Sequence, residues 1–131
     1  MDARLWDPLR KKEVADTPEE RVRQWFIGVL RDTMGVPEHM MRSEVEMLFG
    51  SAHKKYRADI LIFGRDTRPV AVVECKRPEV PLDSSVLGQA LRYNMVLGVR
   101  WIIITNGRST YVAHDGLFEA KTPHYDDLCT E

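Results

Sequence analysis

The chain has 131 residues, 44% apolar and 30% charged, with a formal net charge of −1. That length and balance favour one soluble globular domain that can bury a core without disulfide or metal staples. They argue against a protein that coats nucleic acid by bulk positive charge, and no apolar run approaches the length of a membrane-spanning helix. Met1 to Glu20 is polar and has no apolar segment of secretory type, so a cytoplasmic setting with no membrane association is expected. Cys75 and Cys129 are too few for a zinc site and suggest no disulfide framework.

Residues 1–16 read as an extended N-terminal lead-in, and 17–131 as a single domain. Thr17-Pro18-Glu19-Glu20 predicts a helix start: Thr17 caps, Pro18 suits the first helical position and Glu20 completes a capping box. Val22, Trp25, Phe26, Val29 and Leu30 then mark one helical face, ended by Gly35 and Pro37. Strands are expected over 44–49, 57–63 and 69–76, with polar turns at 51–56 and 65–68, and Pro78 and Pro81 stopping the third strand. Asp83 or Ser84 caps a second helix running to about Leu97, ended by Gly98. A wholly apolar strand follows over 100–105, then an Asn106-Gly107 turn, a strand over 109–113 and an edge strand within 117–121. The expected fold class is α/β, a mixed central sheet with flanking helices in the order α-β-β-β-α-β-β.

Two charged residues, Glu74 and Lys76, interrupt the third strand. Alternation points both to one face, with Val73 and Cys75 on the other. Asp59 interrupts the second strand, and pairing of the two strands as a hairpin brings Asp59 beside Glu74. Two carboxylates about 4 Å apart repel by roughly 4 kcal/mol near a protein surface. A divalent cation relieves that repulsion. Mg²⁺ takes one or two carboxylates plus waters and phosphate oxygens, and the backbone carbonyl of Cys75 adds an oxygen. Such an ion activates water and polarises a phosphate, with Lys76 orienting the water or stabilising transition-state charge. The alternative for the same three residues is a structural salt bridge or a solvated sheet face.

The ordered series Trp6-Asp7-Pro8-Leu9-Arg10, Thr17-Pro18-Glu19-Glu20-Arg21-Val22-Arg23-Gln24, Arg57-Ala58-Asp59-Ile60, Val73-Glu74-Cys75-Lys76-Arg77-Pro78-Glu79, Gln89-Ala90-Leu91-Arg92-Tyr93-Asn94 and Thr105-Asn106-Gly107 covers nearly the whole chain. It resembles the N-terminal nuclease domain of type I restriction enzyme R subunits, and more narrowly its short stand-alone relatives, within the PD-(D/E)XK nucleases. The resemblance implies a restriction-endonuclease-like fold and a metal-dependent deoxyribonuclease acting in restriction or DNA repair. It implies Asp59 and Glu74 as metal ligands for Mg²⁺ (or Mn²⁺ as substitute), Lys76 as the catalytic lysine, and Glu20 as a first-helix glutamate joining the metal. Gln89 and Tyr93 match a Q-x-x-x-Y element whose spacing places both on one helical face, toward the site or a DNA backbone. Ala58 stands where the motif often has proline. No P-loop lysine motif is present, so a motor or target specificity is expected from a separate helicase or specificity protein, and a homodimer would supply the two sites a double-strand cut needs. A module that binds nucleic acid or assembles without efficient cutting is the other class, and an RNA-directed nuclease a third. Glu20 keeps both its capping and its metal reading. Arg10-Lys11-Lys12, the His53-Lys54-Lys55 patch with Arg57, Glu44, Glu46 and the four histidines are expected on the solvated surface.

Overall fold

A computed structural model describes residues 3–130. Six strands form one mixed sheet in sequential order: β3 (Met41–Phe49), β4 (Lys54–Phe63), β5 (Pro69–Cys75), β6 (Trp101–Thr105), β7 (Thr110–His114) and β8 (Leu117–Phe118). All neighbouring pairs run antiparallel except β5–β6. That parallel pair needs a long crossover, and helix α2 (Ser84–Leu97) supplies it, capped by Asp83, whose carboxylate accepts from Val86 N–H at 3.0 Å. Gly98, at φ +69°, closes the helix in a left-handed conformation.

Both sheet faces are covered. Helix α1 (Pro18–Gly28) lays Val22 and Phe26 on a cluster with Ile60, Ile62, Val73, Cys75 and Ile103. Helix α2 lays Ala90, Leu87 and Leu91 on Ile102, Ile104 and Ala113, and Tyr93 and Leu97 on Tyr56, Leu61 and Val72. Strand β6 is therefore buried along its whole length, which accounts for its unbroken Ile run.

The structure departs from the sequence expectations at several points. Within the 1–16 lead-in, β1 (Arg4–Asp7) and β2 (Lys12–Ala15) pair as a separate hairpin. Pairing of such short strands leaves no strong periodicity to read. Only half the capping box forms: Thr17 Oγ1 accepts from Glu20 N–H at 3.1 Å, while the Glu20 carboxylate turns to Arg10 and Gln24. The first helix continues through a π-turn over Val29–Thr33 before Gly35 at φ +74°. A short helix α3 (Tyr125–Cys129) was not expected. It docks by Tyr125 Oη donating to the Phe63 carbonyl at 2.8 Å and by burying Leu128. The described order is thus β-β-α-β-β-β-α-β-β-β-α. Both cysteines are free, and among the described residues no helix is long and apolar enough to cross a membrane.

The α1 face depends on its one large aromatic. Phe26 is 1% exposed, so Phe26→Ala is expected to cost about 3–5 kcal/mol, read as a lower urea midpoint with an unchanged slope.

Candidate active site

The β4–β5 ladder runs Ile62↔Ala71, Leu61↔Val72 and Ile60↔Val73, then stops. Extending that register one step sets Asp59 opposite Glu74. The strands part there because the ladder bond goes to a side chain: Cys75 N–H donates to Asp59 Oδ2 at 2.7 Å. Face alternation also breaks at this residue. Ala58 belongs to the cluster under α2 and Ile60 to the cluster under α1. In an extended residue N–H and C=O lie on the same strand edge, so Cys75 presents its carbonyl oxygen toward Asp59 as well.

Strand β5 ends at Cys75, one residue short of the expected boundary. Lys76 N–H still donates to the Thr105 carbonyl at 2.8 Å, so the extended backbone carries on through it. Glu74 and Lys76 share a face as predicted, with Lys76 Nζ 2.9 Å from Glu74 Oε1. Burial acts to lower the Lys76 pKa, but its bond to Glu74 and the nearby charges of Asp59 and Glu19 outweigh burial and raise it. Lys76 therefore carries its proton at neutral pH. Asp59 behaves the opposite way. Burial, with the charges of Glu19 and Glu74 adding to it, pushes its carboxyl up to about 6 against the pull of Cys75 N–H and Arg23.

Helix α1 and the N-terminal hairpin supply the counter-charge. Arg23 is 4% exposed. Its Nη2 lies 3.3 Å from Asp59 Oδ1 and 3.7 Å from Glu19 Oε1, and its Nη1 lies 3.1 Å from Glu44 Oε1. Arg10 contacts Asp7, and reaches Glu20 Oε1 at 2.6 Å and Glu44 Oε2 at 3.1 Å. Arg10 and Glu44 are thus network members rather than solvated surface residues. Glu44 adopts φ +52°, and the β3–β4 register sets it opposite Asp59, between Ser43↔Ile60 and Val45↔Ala58. Glu46 is exposed and faces Lys55 at 3.7 Å. Of the histidines, His114 is half-buried and stacks on Trp101 with centroids 4.0 Å apart, and His124 caps α3.

Glu20 is held by Arg10 and Gln24. Its neighbour Glu19 is the first-helix acid whose charge acts on Asp59, Cys75 and Lys76. Sequence reasoning passed over Glu19, and also Arg23, because a helix-start acid and a helix arginine look like ordinary solvent-facing charges. Gln89 and Tyr93 sit one turn apart on α2 and line one depression with Phe49, Lys54, Arg92 and Val96. Gln89 is exposed, while Tyr93 packs on the ring of Tyr56, 4.8 Å between centroids.

The donor set fits a hard, oxygen-seeking divalent ion. Among the described residues no three His, Cys, Asp or Glu side chains converge as a cage. Two carboxylates and a backbone carbonyl, with the rest left to water and substrate, match the sparse protein coordination of Mg²⁺. A carboxyl pushed up by burial and by neighbouring acids also marks a place where added positive charge is favourable.

A mixed sheet with helices on both faces, opening at a strand fork lined by two acids and a lysine, defines an α/β domain of nuclease-like fold. Residues 18–125 match the family described as the Type I restriction enzyme R protein N terminus (HSDR_N), and the chain belongs to that family. Among curated proteins no sequence matches. In fold the chain is similar to a fragment assigned as an HsdR subunit of a type I restriction enzyme from Vibrio vulnificus YJ016. The TM-score is 0.64 and identity 22%, over 86% of this chain and 24% of that one. The chain therefore spans about a quarter of that relative's length. It is also similar to a protein assigned as a nuclease of DUF820 from Anabaena variabilis ATCC 29413, at TM-score 0.52 and 14% identity, over 97% of this chain and 89% of that one. The family match places the chain with the N-terminal region of type I restriction enzyme R proteins, and the two neighbours share its fold.

The Asp59 environment has a measurable consequence. A folded-state value of about 6, above the ordinary 3.8, means ionisation disfavours folding. The protonated acid's contribution is present below about pH 4 and lost as pH rises through 6. Asp59→Asn is expected to melt above wild type at pH 8, with the two curves converging as pH falls to 4. The same difference in Tm at both pH values would contradict the burial argument.

Proposed function

We propose that this domain hydrolyses DNA phosphodiesters with a divalent metal, most naturally Mg²⁺ with Mn²⁺ as substitute, as a nuclease of the PD-(D/E)XK type serving restriction or DNA repair. The observation that carries this reading is the strand fork just past Ile60↔Val73, where Asp59 accepts from Cys75 N–H while Lys76 stands protonated against Glu74. Asp59, Glu74 and the Cys75 carbonyl would hold the ion, which when bound supplies a more acidic water and a polarised phosphate. Glu19 fits the outer edge of that set better than Glu20, whose carboxylate is already paired. Lys76 keeps its proton, so its part is to orient the attacking water and to offset charge developing on the phosphoryl oxygens, not to act as the base.

The substrate would approach along the α2 side. Lys54 and Arg92 are exposed there and share the depression with Gln89 and Tyr93. Local positive charge of this kind holds a phosphate backbone even where the whole protein is near neutral. The single-domain reading of residues 17–131 belongs to the same proposal, as do a separate helicase or specificity protein as partner, a homodimer for double-strand cutting and a cytoplasmic location.

A second reading is favoured by one contact. Arg23 already satisfies Asp59 Oδ1 at 3.3 Å, and a carboxylate so paired suits a binding or assembly module that keeps the fold and cuts poorly. The two readings part in one assay. Supercoiled plasmid incubated with Mg²⁺ or Mn²⁺ should be nicked by the wild type. Nicking should fall at least about 100-fold in Lys76→Ala, the scale of losing one transition-state charge partner. Plasmid bound but uncut at saturating Mn²⁺ would assign the chain to the module. Matched RNA and DNA substrates settle which nucleic acid is cut.

A further inference from the structure

Tyr56 was not singled out by the sequence, and its hydroxyl is one of the enclosed side-chain polar atoms that find no partner in the fold. The residue lies on β4, three positions before Asp59, and is 9% exposed. Its Oη is fully enclosed and has no hydrogen-bond partner among the described residues. Burying a hydroxyl without a partner costs roughly 1–3 kcal/mol. Phenylalanine would make the same packing without that cost. An enclosed donor kept at such a position therefore asks for an acceptor supplied by the working state of the site.

Its surroundings say where that acceptor lies. Tyr56 belongs to the cluster of Ala58, Leu61 and Val72 under α2, and the Tyr93 ring packs on it at 4.8 Å. Glu74 follows Val72 by two residues on β5, so it points to this same face. Burial is the largest influence raising the phenol's pKa, and the charges of Glu74 and then Asp59 follow. The phenol thus keeps its proton and is a donor under working conditions, in range of two carboxylates. Tyr93 on α2 packs on this ring, which ties that helix to the face carrying Glu74.

We propose that Tyr56 is a positioning residue for the metal-binding acid: in the metal-bound state its O–H donates to the Glu74 carboxylate, and so fixes that group for the divalent ion. The proposal rests on the nuclease reading above and adds to it a residue that touches neither substrate nor metal. Outer-shell donors of this kind typically change metal affinity 10–100-fold.

The test is Tyr56→Phe in the full chain, with Mn²⁺ binding followed by titration calorimetry in the absence of DNA. The expected result is a dissociation constant raised about 10-fold or more, with a Tm equal to or above wild type because only an unpartnered hydroxyl is lost. The Mg²⁺ concentration for half-maximal nicking should rise by a similar factor, with a smaller change at saturating metal. In a Glu74→Gln background, Tyr56→Phe should add nothing further. Unchanged Mn²⁺ affinity in Tyr56→Phe, with wild type binding and cutting normally, would overturn this inference and leave the nuclease reading standing. A marked fall in Tm would also overturn it, since the hydroxyl would then serve the fold. A wild type that binds no Mn²⁺ and nicks no DNA would remove both.

Discussion

The parting of β4 from β5 is the constraint around which the candidate site is built. A ladder that continued past Ile60↔Val73 would direct Cys75 N–H to backbone and leave no opening. Instead the Asp59 carboxylate takes that bond. Exchanging a backbone acceptor for a side-chain one frees the strand edge, turns the Cys75 carbonyl toward a cleft and holds Asp59 at a place it would not choose by solvation. Strand β6 makes the parting affordable, because Lys76 N–H stays anchored to Thr105 and β5 cannot follow β4 away.

A second constraint is electrostatic. Arg10 and Arg23 contact five carboxylates, those of Asp7, Glu19, Glu20, Glu44 and Asp59. Ion pairs this far from solvent repay their desolvation only with several well-placed contacts. Guanidinium suits that task better than ammonium because it offers five donors in a fixed plane. Burial is the main cause of the raised Asp59 pKa, and the charges of Glu19 and Glu74 add to it against the pull of Cys75 N–H and Arg23. The N-terminal hairpin enters the site through this network: Arg10 ties Asp7 to the start of α1 and to the kinked residue of β3. What reads in sequence as a lead-in is thereby joined to the charge balance of the centre.

The likeness to the Vibrio HsdR fragment at 22% identity shows how little of the sequence a shared fold requires. Packing asks for apolar volume on the α1 and α2 faces, which many residues supply. The fork asks for particular groups, and those belong to a short list: an acid midway along β4, an acid near the end of β5 and a lysine two residues after it.

The sequence by itself determined the order of helices and strands from α1 to β8 and the shared face of Glu74 and Lys76. Period-two alternation on β5 required Glu74 and Lys76 to share a face, the Ile run required a strand covered on both sides, and a hairpin-sized gap brought Asp59 beside them. Such signals are local, carried by spacing along the chain. The pairing of β1 with β2, the docking of α3, the burial of Arg10, Arg23 and Glu44, the nearness of Glu19 to Asp59 and the enclosed hydroxyl of Tyr56 were decided only by the tertiary structure. Each depends on which groups from distant segments share one low-dielectric space. A charged residue looks alike in sequence whether it meets water or a buried partner, because the difference lies in its neighbours across the fold.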